Sequence, residues 1–478
     1  MRPSNDPTET VPESEPPSAR NPLALRPRLG LLVLWSADEP QFLGAWLPIP
    51  GRVGDAALVL GRGVASSAGE PDRVFAVRQR PGENQRLPAF QSPSLSKTQL
   101  LIAVSTPETL SVQNVGRRRL IVNGRQVEKS ELRAGDIVDL GSQMTLLCTL
   151  RPQLWEPAQT APYPFGAPDT HGFVGESQAA WQLRSELSFA APRAGHVLVL
   201  GATGTGKELI AHALHRDSKR SGPFVARNAA TLPESLVDAE LFGNAKGYPN
   251  PGMAERKGMI GAADGGTLFL DEFADLPAGA QAHVLRVLDA GEYHRLGEDK
   301  ARHSEFRLVA ATNRPESALR ADVLARFDFR LKMPDLAARP EDIPLIAVQL
   351  LRSMAIGDAD LSARFFSSEG LPRLSEGFVR GLVQHTYVGN VRELRQRLWG
   401  ALATKAGNEL AWPDAMPAAS DPRSSAPAHD ELSGEQLKHT LQANNGSLEK
   451  TWRALGLANR HVLHRLLRKH GLSVTKQH

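Results

Sequence analysis

Two stretches of this 478-residue chain, HVLVLGATGTGKE at residues 196–208 and ADGGTLFLDE at residues 263–272, decide the fold. In the first, an apolar run leads into a glycine-rich turn and then into the helical pattern ELIAHALH. Glycines let successive amides of such a turn point inward, and the helix presents its positive end to the same place. The G-x-x-x-x-G-K pattern ends in Lys207, whose ammonium can reach the β- and γ-phosphates of a nucleotide. The first stretch therefore predicts a phosphate-binding loop.

The second stretch supplies carboxylates for the same site. Residues 267–270 predict a buried strand that delivers Asp271 and Glu272 at its carboxyl end, where α/β sheets hold ligands. Asp271 is expected to hold Mg²⁺, directly or through water, and Glu272 to polarise an attacking water. The general motif has Ser or Thr where this chain has Glu208, which removes a usual metal ligand. The paired stretches predict an ATP or GTP site whose phosphates are held by Gly201, Ala202, Thr203, Gly204, Thr205, Gly206, Lys207 and Glu208.

Length and composition set the general class of the protein. With 478 residues, about three domains are expected. A net charge of +4 is too small to indicate a partner by itself, and the single cysteine, Cys148, excludes an internal disulfide framework. The first twenty residues are polar and proline-rich, and no run of about 18 apolar residues occurs. We therefore expect a cytoplasmic protein without a membrane segment, beginning with a disordered stretch at residues 1–28.

Residues 29–150 predict a β-sandwich, because short apolar strands alternate there with turns rich in Gly, Asn and Pro. The proline-rich stretch at residues 151–170 predicts a semi-rigid linker. Four segments, Gly61-Arg62, SLSKTQ at 94–99, Asn123-Gly124 and GDIVDLG at 135–141, resemble a forkhead-associated (FHA) domain.

That resemblance implies a module that binds a phosphothreonine protein, with Arg62, Ser96 and Lys97 at the phosphopeptide site. Two positions depart from the family pattern: Gln99 replaces a histidine, and Arg118 stands where an asparagine is usual. Neighbouring arginines can still supply charge for an anion. A β-domain with a structural role alone is the alternative.

The region from residue 171 to 403 alternates strands with helices, which predicts a parallel, doubly wound α/β sheet. The segments FVGESQAAWQL, GATGTGKELIAHALH, GGTLFLDE, RLVAATNRP, EDIPL and GNVREL occur in this order. Together they resemble the AAA+ ATPase domain, with its helical lid, of sigma-54-dependent transcription activators, also called bacterial enhancer-binding proteins. That family carries glutamate at the position of Glu208.

The resemblance implies roles for further residues and an assembly. Asn228 would restrain the catalytic glutamate, Thr312 and Asn313 would sense the γ-phosphate, and Arg392 would report nucleotide state from the lid. Arg320 and Arg326 would reach into the site of a neighbouring subunit, which suits the permanent charge of arginine. A site completed in trans implies a homo-oligomeric ring, expected to be a hexamer, that uses ATP and Mg²⁺.

One loop departs from the family pattern. Sigma-54 activators carry GAFTGA on a loop that contacts the sigma factor, and this chain has GYPNPG in its place. Two prolines restrict φ and remove amide donors, so the loop should be stiffer. The predicted contact with sigma-54 RNA polymerase is therefore in question for its residues, which are Gly247, Tyr248, Pro249, Asn250, Pro251 and Gly252.

The C-terminal part predicts a second linker at residues 404–431 and a small helical domain at 432–478. Residues 432–478 contain eight Lys and Arg but only two Glu, which gives a local net charge of +6. This part resembles the Fis-type helix-turn-helix, which implies that it binds an enhancer-like DNA site. The residues expected to contact DNA are Asn459, Arg460, His461, His464, Arg465, Arg468 and Lys469.

Three functions remain open from the sequence. The first is an ATP-driven activator of sigma-54 polymerase, controlled by the β-domain and tethered to DNA by its tail. The second is a DNA-binding ATPase regulator that acts on something other than sigma-54, which GYPNPG favours. The third is a phosphopeptide-binding scaffold in which nucleotide is only structural, and the intact Asp271-Glu272 pair argues against it.

Overall fold

A computed structural model of the protein describes residues 27–63, 72–156, 162–403 and 407–412, together with residues 438, 440, 441 and 451. The chain divides into two compact units, Met1–Pro413 and Asp414–His478. The predicted DNA-contacting residues 459–469 lie outside the described residues. Among the described helices, none has the length and the apolar composition that crossing a lipid bilayer requires.

The N-terminal region folds into two antiparallel sheets, with strand orders β5-β4-β2-β1-β12-β11-β8-β9 and β10-β7-β6-β3. The strands are β1 (Pro27–Ser36), β2 (Trp46–Pro48), β3 (Leu58–Leu60), β4 (Val77–Arg80), β5 (Glu83–Arg86), β6 (Leu100–Thr106), β7 (Thr109–Asn114), β8 (Leu120–Val122), β9 (Arg125–Val127), β10 (Lys129–Leu132), β11 (Ile137–Leu140) and β12 (Met144–Pro152). The prediction of a β-rich domain is confirmed, and its strands extend two residues beyond each expected limit of 29–150.

Strand β1 is buried on both of its faces. Successive side chains of a strand point to opposite sides, so Leu31 and Val33 face the core between the two sheets. Leu32 and Leu34 face the other way, into a core that they share with the C-terminal helices described below. The apolar run LGLLVLW thus serves two cores, which explains why it lacks polar residues at alternate positions.

The next domain contains a five-stranded parallel sheet with the order β14-β15-β18-β13-β19. Its elements are α1 (Gln178–Ala190), β13 (Val197–Leu200), α2 (Lys207–Arg216), β14 (Phe224–Asn228), α3 (Val237–Phe242), α4 (Gly258–Ala262), β15 (Thr267–Asp271), α5 (Ala278–Ala290), β16 (Glu292–His294), β17 (Ala301–His303), β18 (Arg307–Thr312), α6 (Ala321–Leu324) and β19 (Phe329–Lys332). Strands β16 and β17 form a separate antiparallel hairpin. Hydrophobic clusters cover both faces of the parallel sheet, so the α/β prediction is confirmed.

Four helices form a lid after the sheet: α7 (Ile343–Ala355), α8 (Ala359–Phe365), α9 (Glu376–Gln384) and α10 (Asn390–Leu402). Helix α9 begins after Ser375, whose hydroxyl accepts a hydrogen bond from the Phe378 amide, as an N-cap residue should. The outer face of β1 and β12 packs against α9. The lid and the β-rich region therefore share one hydrophobic core.

The stretch predicted to be a linker, residues 151–170, is packed where the structure describes it. Trp155 is buried, and the ring of Tyr163 stacks on Trp181 of α1 with centroids 5.9 Å apart. Proline excludes a regular helix here, but it does not prevent aromatic side chains from packing. These residues therefore attach the β-rich region to the α/β domain.

Candidate functional site

Four strands of the parallel sheet end at one edge, and the predicted site residues lie at their ends or directly after them. Strand β13 leads into the loop at residues 201–206, with Leu200 paired in register with Thr312 of β18. Strand β15 ends at Asp271, which lies opposite Asn228 at the end of β14. The sheet therefore places the phosphate loop, Asp271 and Thr312 side by side at its carboxyl edge.

The phosphate loop has the backbone that its glycines allow. Gly204 and Gly206 have φ angles of +79° and +101°. A Cβ on Gly204 would lie 2.2 Å from the carbonyl oxygen of Gly389, so only glycine fits at this contact with the lid. Lys207 is buried, and its ammonium donates to the carbonyl oxygen of Gly201 at 3.0 Å. The ammonium of Lys207 therefore lies inside the curve of the loop, at the place where phosphates would bind.

The two carboxylates lie beside this loop and remain partly exposed. Glu272 has a left-handed backbone (φ +51°), and its amide donates to a carboxylate oxygen of Asp271 at 3.0 Å. The backbone amide of Asn313 donates to the Glu272 carboxylate at 3.4 Å, and its side-chain amide donates to the Thr203 hydroxyl at 3.3 Å. Asn313 therefore connects Glu272 to the phosphate loop.

Two other predicted residues make local contacts. The side-chain oxygen of Asn228 accepts from the Ala230 amide at 2.9 Å, so among the described residues it caps its own turn rather than bonding Glu272. Thr312 is fully buried, and its hydroxyl accepts from the amide of Arg314 at 3.1 Å. Asn228 still lies one strand away from the carboxylates, in register with Asp271.

The lid contacts the phosphate loop through the turn that begins α10. The Val391 amide donates to the Gly204 carbonyl at 3.1 Å, and the Asn390 side-chain amide donates to the Thr203 carbonyl at 3.2 Å. The Asn390 oxygen also accepts from the Leu336 amide at 2.9 Å. Arg392, the predicted lid arginine, is exposed, and its Cβ lies beside Gly204.

Asn390 is a residue that motif reasoning missed. Its φ of +49° is unusual for a residue other than glycine, and asparagine is one of the few side chains that adopt it readily. The pairing of glycine and asparagine at positions 389–390, just before a helical pattern, is the signal that could have indicated it.

Buried carboxylates anchor the segments that flank the loop. Asp342 accepts from the amides of Glu176 and Ser177 at 2.7 and 2.9 Å and from the Ser177 hydroxyl at 2.6 Å. Its burial raises the pKa of this carboxyl, although the charge of Arg339 opposes the rise. At the lid turn, burial also favours a raised pKa for Glu393, but the Gly389 amide, His385 and Arg397 outweigh it and lower the pKa.

The two arginines predicted to act in trans form ion pairs within their own chain. Arg326 lies 2.8 Å from Asp289 of α5, and Arg320 forms a two-bond contact with Asp322. All four side chains are about half exposed. Exposed pairs of this kind contribute only about 0–1 kcal/mol, so a phosphate group could replace the carboxylates at little cost.

The loop at residues 247–252 is closed at its base. The Gly247 amide donates to the Met253 carbonyl at 2.9 Å, and the Asn244 side chain donates to three carbonyls, those of Ala245, Tyr248 and Ala254. The ring of Tyr248 packs over Gly297, next to the β16–β17 hairpin. The tip of the loop is therefore formed by Pro249, Asn250 and Pro251, which are exposed.

In the β-rich region, Gln99 organises the loops of the predicted phosphopeptide site. It is fully buried and donates to the Asn114 side chain at 2.8 Å and to the Arg118 carbonyl at 2.9 Å. The Ser96 hydroxyl accepts from the Arg117 amide at 2.9 Å. Arg62 lies next to this segment because its amide donates to the Ser96 carbonyl at 3.0 Å, and Lys97 is exposed.

The carboxyl edge of the parallel sheet fits a nucleotide with Mg²⁺. The close approach of Gly204 to the lid and the buried Lys207 form a cradle for phosphates. Among the described residues, no group of three or more His, Cys, Asp and Glu could hold a metal ion without other ligands. Mg²⁺ would accordingly depend on Asp271 together with phosphate and water oxygens, as it commonly does.

We expect the Asn390 contacts to contribute to nucleotide affinity. Asn390→Gly keeps the left-handed backbone but removes both side-chain hydrogen bonds, so nucleotide binding should weaken by about tenfold. Asn390→Ala should weaken it equally and also unfold at lower temperature, because alanine is strained at this φ. Titration with a fluorescent ADP analogue and thermal unfolding would measure both effects. The exposed Asn408→Gly is the control, and wild-type affinity in Asn390→Gly would contradict the expectation.

Comparisons with known proteins agree with this site. Residues 173–336 match the family model described as the sigma-54 interaction domain. The nitric oxide reductase transcription regulator NorR2 of Cupriavidus necator is 43% identical over 229 residues, which are 46% of this chain and 42% of that protein. The anaerobic nitric oxide reductase transcription regulator NorR of Salmonella paratyphi C is 35% identical over 339 residues, 64% of this chain and 63% of that protein. The chain spans less than two thirds of either regulator.

A solved structure was also found to be similar. The crystal structure of NtrX from Brucella abortus in complex with ADP superposes with a TM-score of 0.46 and 29% identity, over 64% of this chain and 70% of that one. The parallel sheet, the phosphate loop after β13 and the helical lid make up an AAA+ nucleotide-binding fold. The segment that matches the sigma-54 interaction domain, residues 173–336, contains the phosphate loop and all five strands of this sheet.

Proposed function

We propose that this protein is an ATP-hydrolysing transcription regulator of the sigma-54 activator type. The observation that carries the proposal is the convergence of Lys207, Asp271, Glu272 and Asn313 at one sheet edge under the lid, within the segment that matches the sigma-54 interaction domain. The relatives from Cupriavidus and Salmonella are named as transcription regulators, which supports the same kind of output.

The side chains divide the work of hydrolysis, in which ATP and water give ADP and phosphate. Lys207 and the loop amides would hold the β- and γ-phosphates. Glu272, kept in place by Asn313, would orient the attacking water and accept its proton. Asp271 would hold Mg²⁺, which when bound neutralises charge on the phosphate oxygens. Thr312 and Asn313 would connect the state of the γ-phosphate to β18.

Substitution of the two central residues should separate binding from turnover. Lys207→Ala should weaken ATP binding, because it removes the charge that holds the phosphates. Glu272→Gln should bind ATP like the wild type but lose turnover, by about 10²-fold or more, because the amide accepts no proton. Phosphate release and fluorescent-nucleotide titration measure the two effects, with Lys129→Ala in the β-rich region as the control. A wild-type protein that binds no nucleotide would refute the proposal.

The protein is proposed to act as a homo-oligomeric ring, expected to be a hexamer, in which Arg326 serves the neighbouring site. Arg320 is assigned the same kind of role, and Arg392 would report nucleotide state from the lid. Support comes from the weak intrachain pair of Arg326 with Asp289, which a neighbour's phosphate group could displace.

Mixing experiments test this arrangement. Neither Arg326→Ala nor Glu272→Gln should hydrolyse ATP efficiently alone. A mixture should regain part of the activity, because some interfaces then combine an intact Glu272 with an intact Arg326. Mixing Arg326→Ala with the double variant Arg326→Ala/Glu272→Gln should restore nothing. Phosphate release is the measurement, and concentration-independent turnover by a wild-type monomer would contradict trans catalysis.

The loop at residues 247–252 favours a second candidate function, in which ATP turnover does not remodel sigma-54 polymerase. Its tip carries two prolines and Asn250, which lack the apolar ring and hydroxyl of GAFTGA. The one aromatic residue of the loop, Tyr248, packs against Gly297 but remains 42% exposed, so an aromatic contact one position early is the competing view. Under the second candidate function, regulation would come from DNA occupancy or from a different protein partner.

Open-complex formation on a sigma-54 promoter decides between these outputs. Under the second candidate function, the wild type should form few open complexes, and a chimera with GAFTGA at positions 247–252 should form them in an ATP-dependent manner. ATP hydrolysis by both proteins is the internal control. Efficient open-complex formation by the wild type would instead establish the activator function with GYPNPG.

The terminal regions complete the proposal. The basic segment at residues 432–478 is assigned to enhancer-like DNA on the basis of its local charge of +6. The β-rich region is assigned to a phosphothreonine protein, with Arg62, Ser96 and Lys97 at the binding site. Gln99 supports this assignment because it holds Ser96 and Arg118 in fixed positions without a histidine.

A further inference from the structure

Arg80, the last residue of β4, reaches out of the β-rich region into the α/β domain. Its guanidinium donates to the carbonyls of Tyr163 and Pro164, at 2.7 and 3.3 Å. It also donates to both carboxylate oxygens of Glu176, at 2.5 and 3.1 Å. One side chain thus connects the two ends of the loop formed by residues 163–176.

The pair of Arg80 and Glu176 is shielded from water and has further partners. The side chain of Glu176 is 2% exposed, and it also accepts from the Gly166 amide at 2.8 Å and from the Trp181 ring nitrogen at 3.1 Å. The guanidinium lies 4.3 Å from the centre of the Tyr163 ring. A planar, bidentate arginine contact of this kind fixes geometry as well as charge, and lysine cannot reproduce it.

The middle of the 163–176 loop lies against the start of α2, the helix that follows the phosphate loop. Asp169, His171 and Phe173 line a cavity of about 10 Å³ together with Leu209 and Ile210 of α2. Arg184 holds this part of the loop by donating to the Phe173 and Gly175 carbonyls, at 3.1 and 2.7 Å.

The end of the same loop is attached to the segment that enters the lid. The Glu176 amide donates to Asp342, and Arg339 donates to the Val174 carbonyl at 3.4 Å. Residues 172–176 therefore run between the phosphate-loop helix and the base of the lid. The 163–176 loop thus forms a wall against α2, the helix that begins at Lys207 of the proposed phosphate loop.

We propose that Arg80 is a positioning residue through which the β-rich region sets the affinity of the α/β domain for nucleotide. It fixes the ends of the 163–176 loop, and the middle of that loop is the wall beside the phosphate-loop helix. A displacement of the β-rich region moves Arg80 relative to Glu176 and so changes the wall without touching the catalytic groups. This inference rests on the proposed nucleotide site.

The test compares nucleotide affinity and turnover in the full-length protein. Arg80→Ala should weaken binding of a fluorescent ADP analogue by about tenfold, the scale of one charge-assisted hydrogen bond. The KM for ATP should rise by a similar factor while kcat changes less than about twofold, because the catalytic groups are untouched. Arg80→Lys should recover only part of the loss, since lysine lacks the bidentate contact. Arg86→Ala is the matched control, because Arg86 lies on the neighbouring strand β5 and stacks on Phe75.

A second variant excludes an effect of the unpaired Glu176 charge alone. Arg80→Ala/Glu176→Gln removes that buried charge and should regain thermal stability but keep the weakened affinity. Wild-type affinity in Arg80→Ala, or its return in the double variant, would overturn the inference while leaving the proposed function intact. A wild-type protein that binds no nucleotide would instead defeat the proposed function.

Discussion

The burial of β1 on both faces is the constraint on which the described structure depends. Leu31 faces the core of the β-rich region, while Leu32 and Leu34 pack in one cluster with Phe378 of α9. Burying an aliphatic side chain completely stabilises the folded state by about 1.5–3 kcal/mol, whereas an exposed ion pair contributes about 0–1 kcal/mol. Hydrophobic burial therefore explains why the chain up to Pro413 forms one compact unit, although its sequence predicts separate domains.

Polar contacts fix how the two parts of that unit meet. Asp139 is fully buried on β11 and accepts from Arg380 of α9 at 2.9 Å and from Thr145 at 2.8 Å. Burial raises the pKa of the Asp139 carboxyl, although the interactions with Thr145 and Arg380 favour a lower pKa. Such a pair adds little net stability, but removing one partner leaves a buried charge at a large cost. The pair therefore favours one position of α9 on the sheet, while the surrounding apolar contacts stabilise the folded state.

The sequence predicted the parts of the site that depend on local chemistry. Lys207 and Glu272 could be placed because glycine spacing and an apolar strand specify a loop and a strand end within a few residues. Asn390 and Arg80 could not, because their contacts join residues 187 and 96 positions apart. The proline content of residues 151–170 excluded a helix but gave no information about packing. The uninterrupted apolar run of β1 did indicate burial on both faces, since a strand with one solvent-exposed face should alternate apolar and polar residues.

The lid has two contacts of different strength, one between α10 and the phosphate loop and one between α9 and the β-rich region. Their relative strength determines which parts of the protein would move together with the lid. Helix α10 contacts the phosphate loop through two hydrogen bonds, from Asn390 and Val391, each worth about 0.5–1.5 kcal/mol net. Helix α9 contacts the β-rich region through a shared apolar core and the buried pair of Arg380 with Asp139. Because the contacts of α9 are the stronger, a lid that left the phosphate loop would be expected to carry the β-rich region with it. Because Arg80 belongs to that region, such a movement also pulls on the 163–176 loop. In the proposed function, the lid and the 163–176 loop are therefore not independent, because the β-rich region contacts α9 through a shared core and the loop through Arg80.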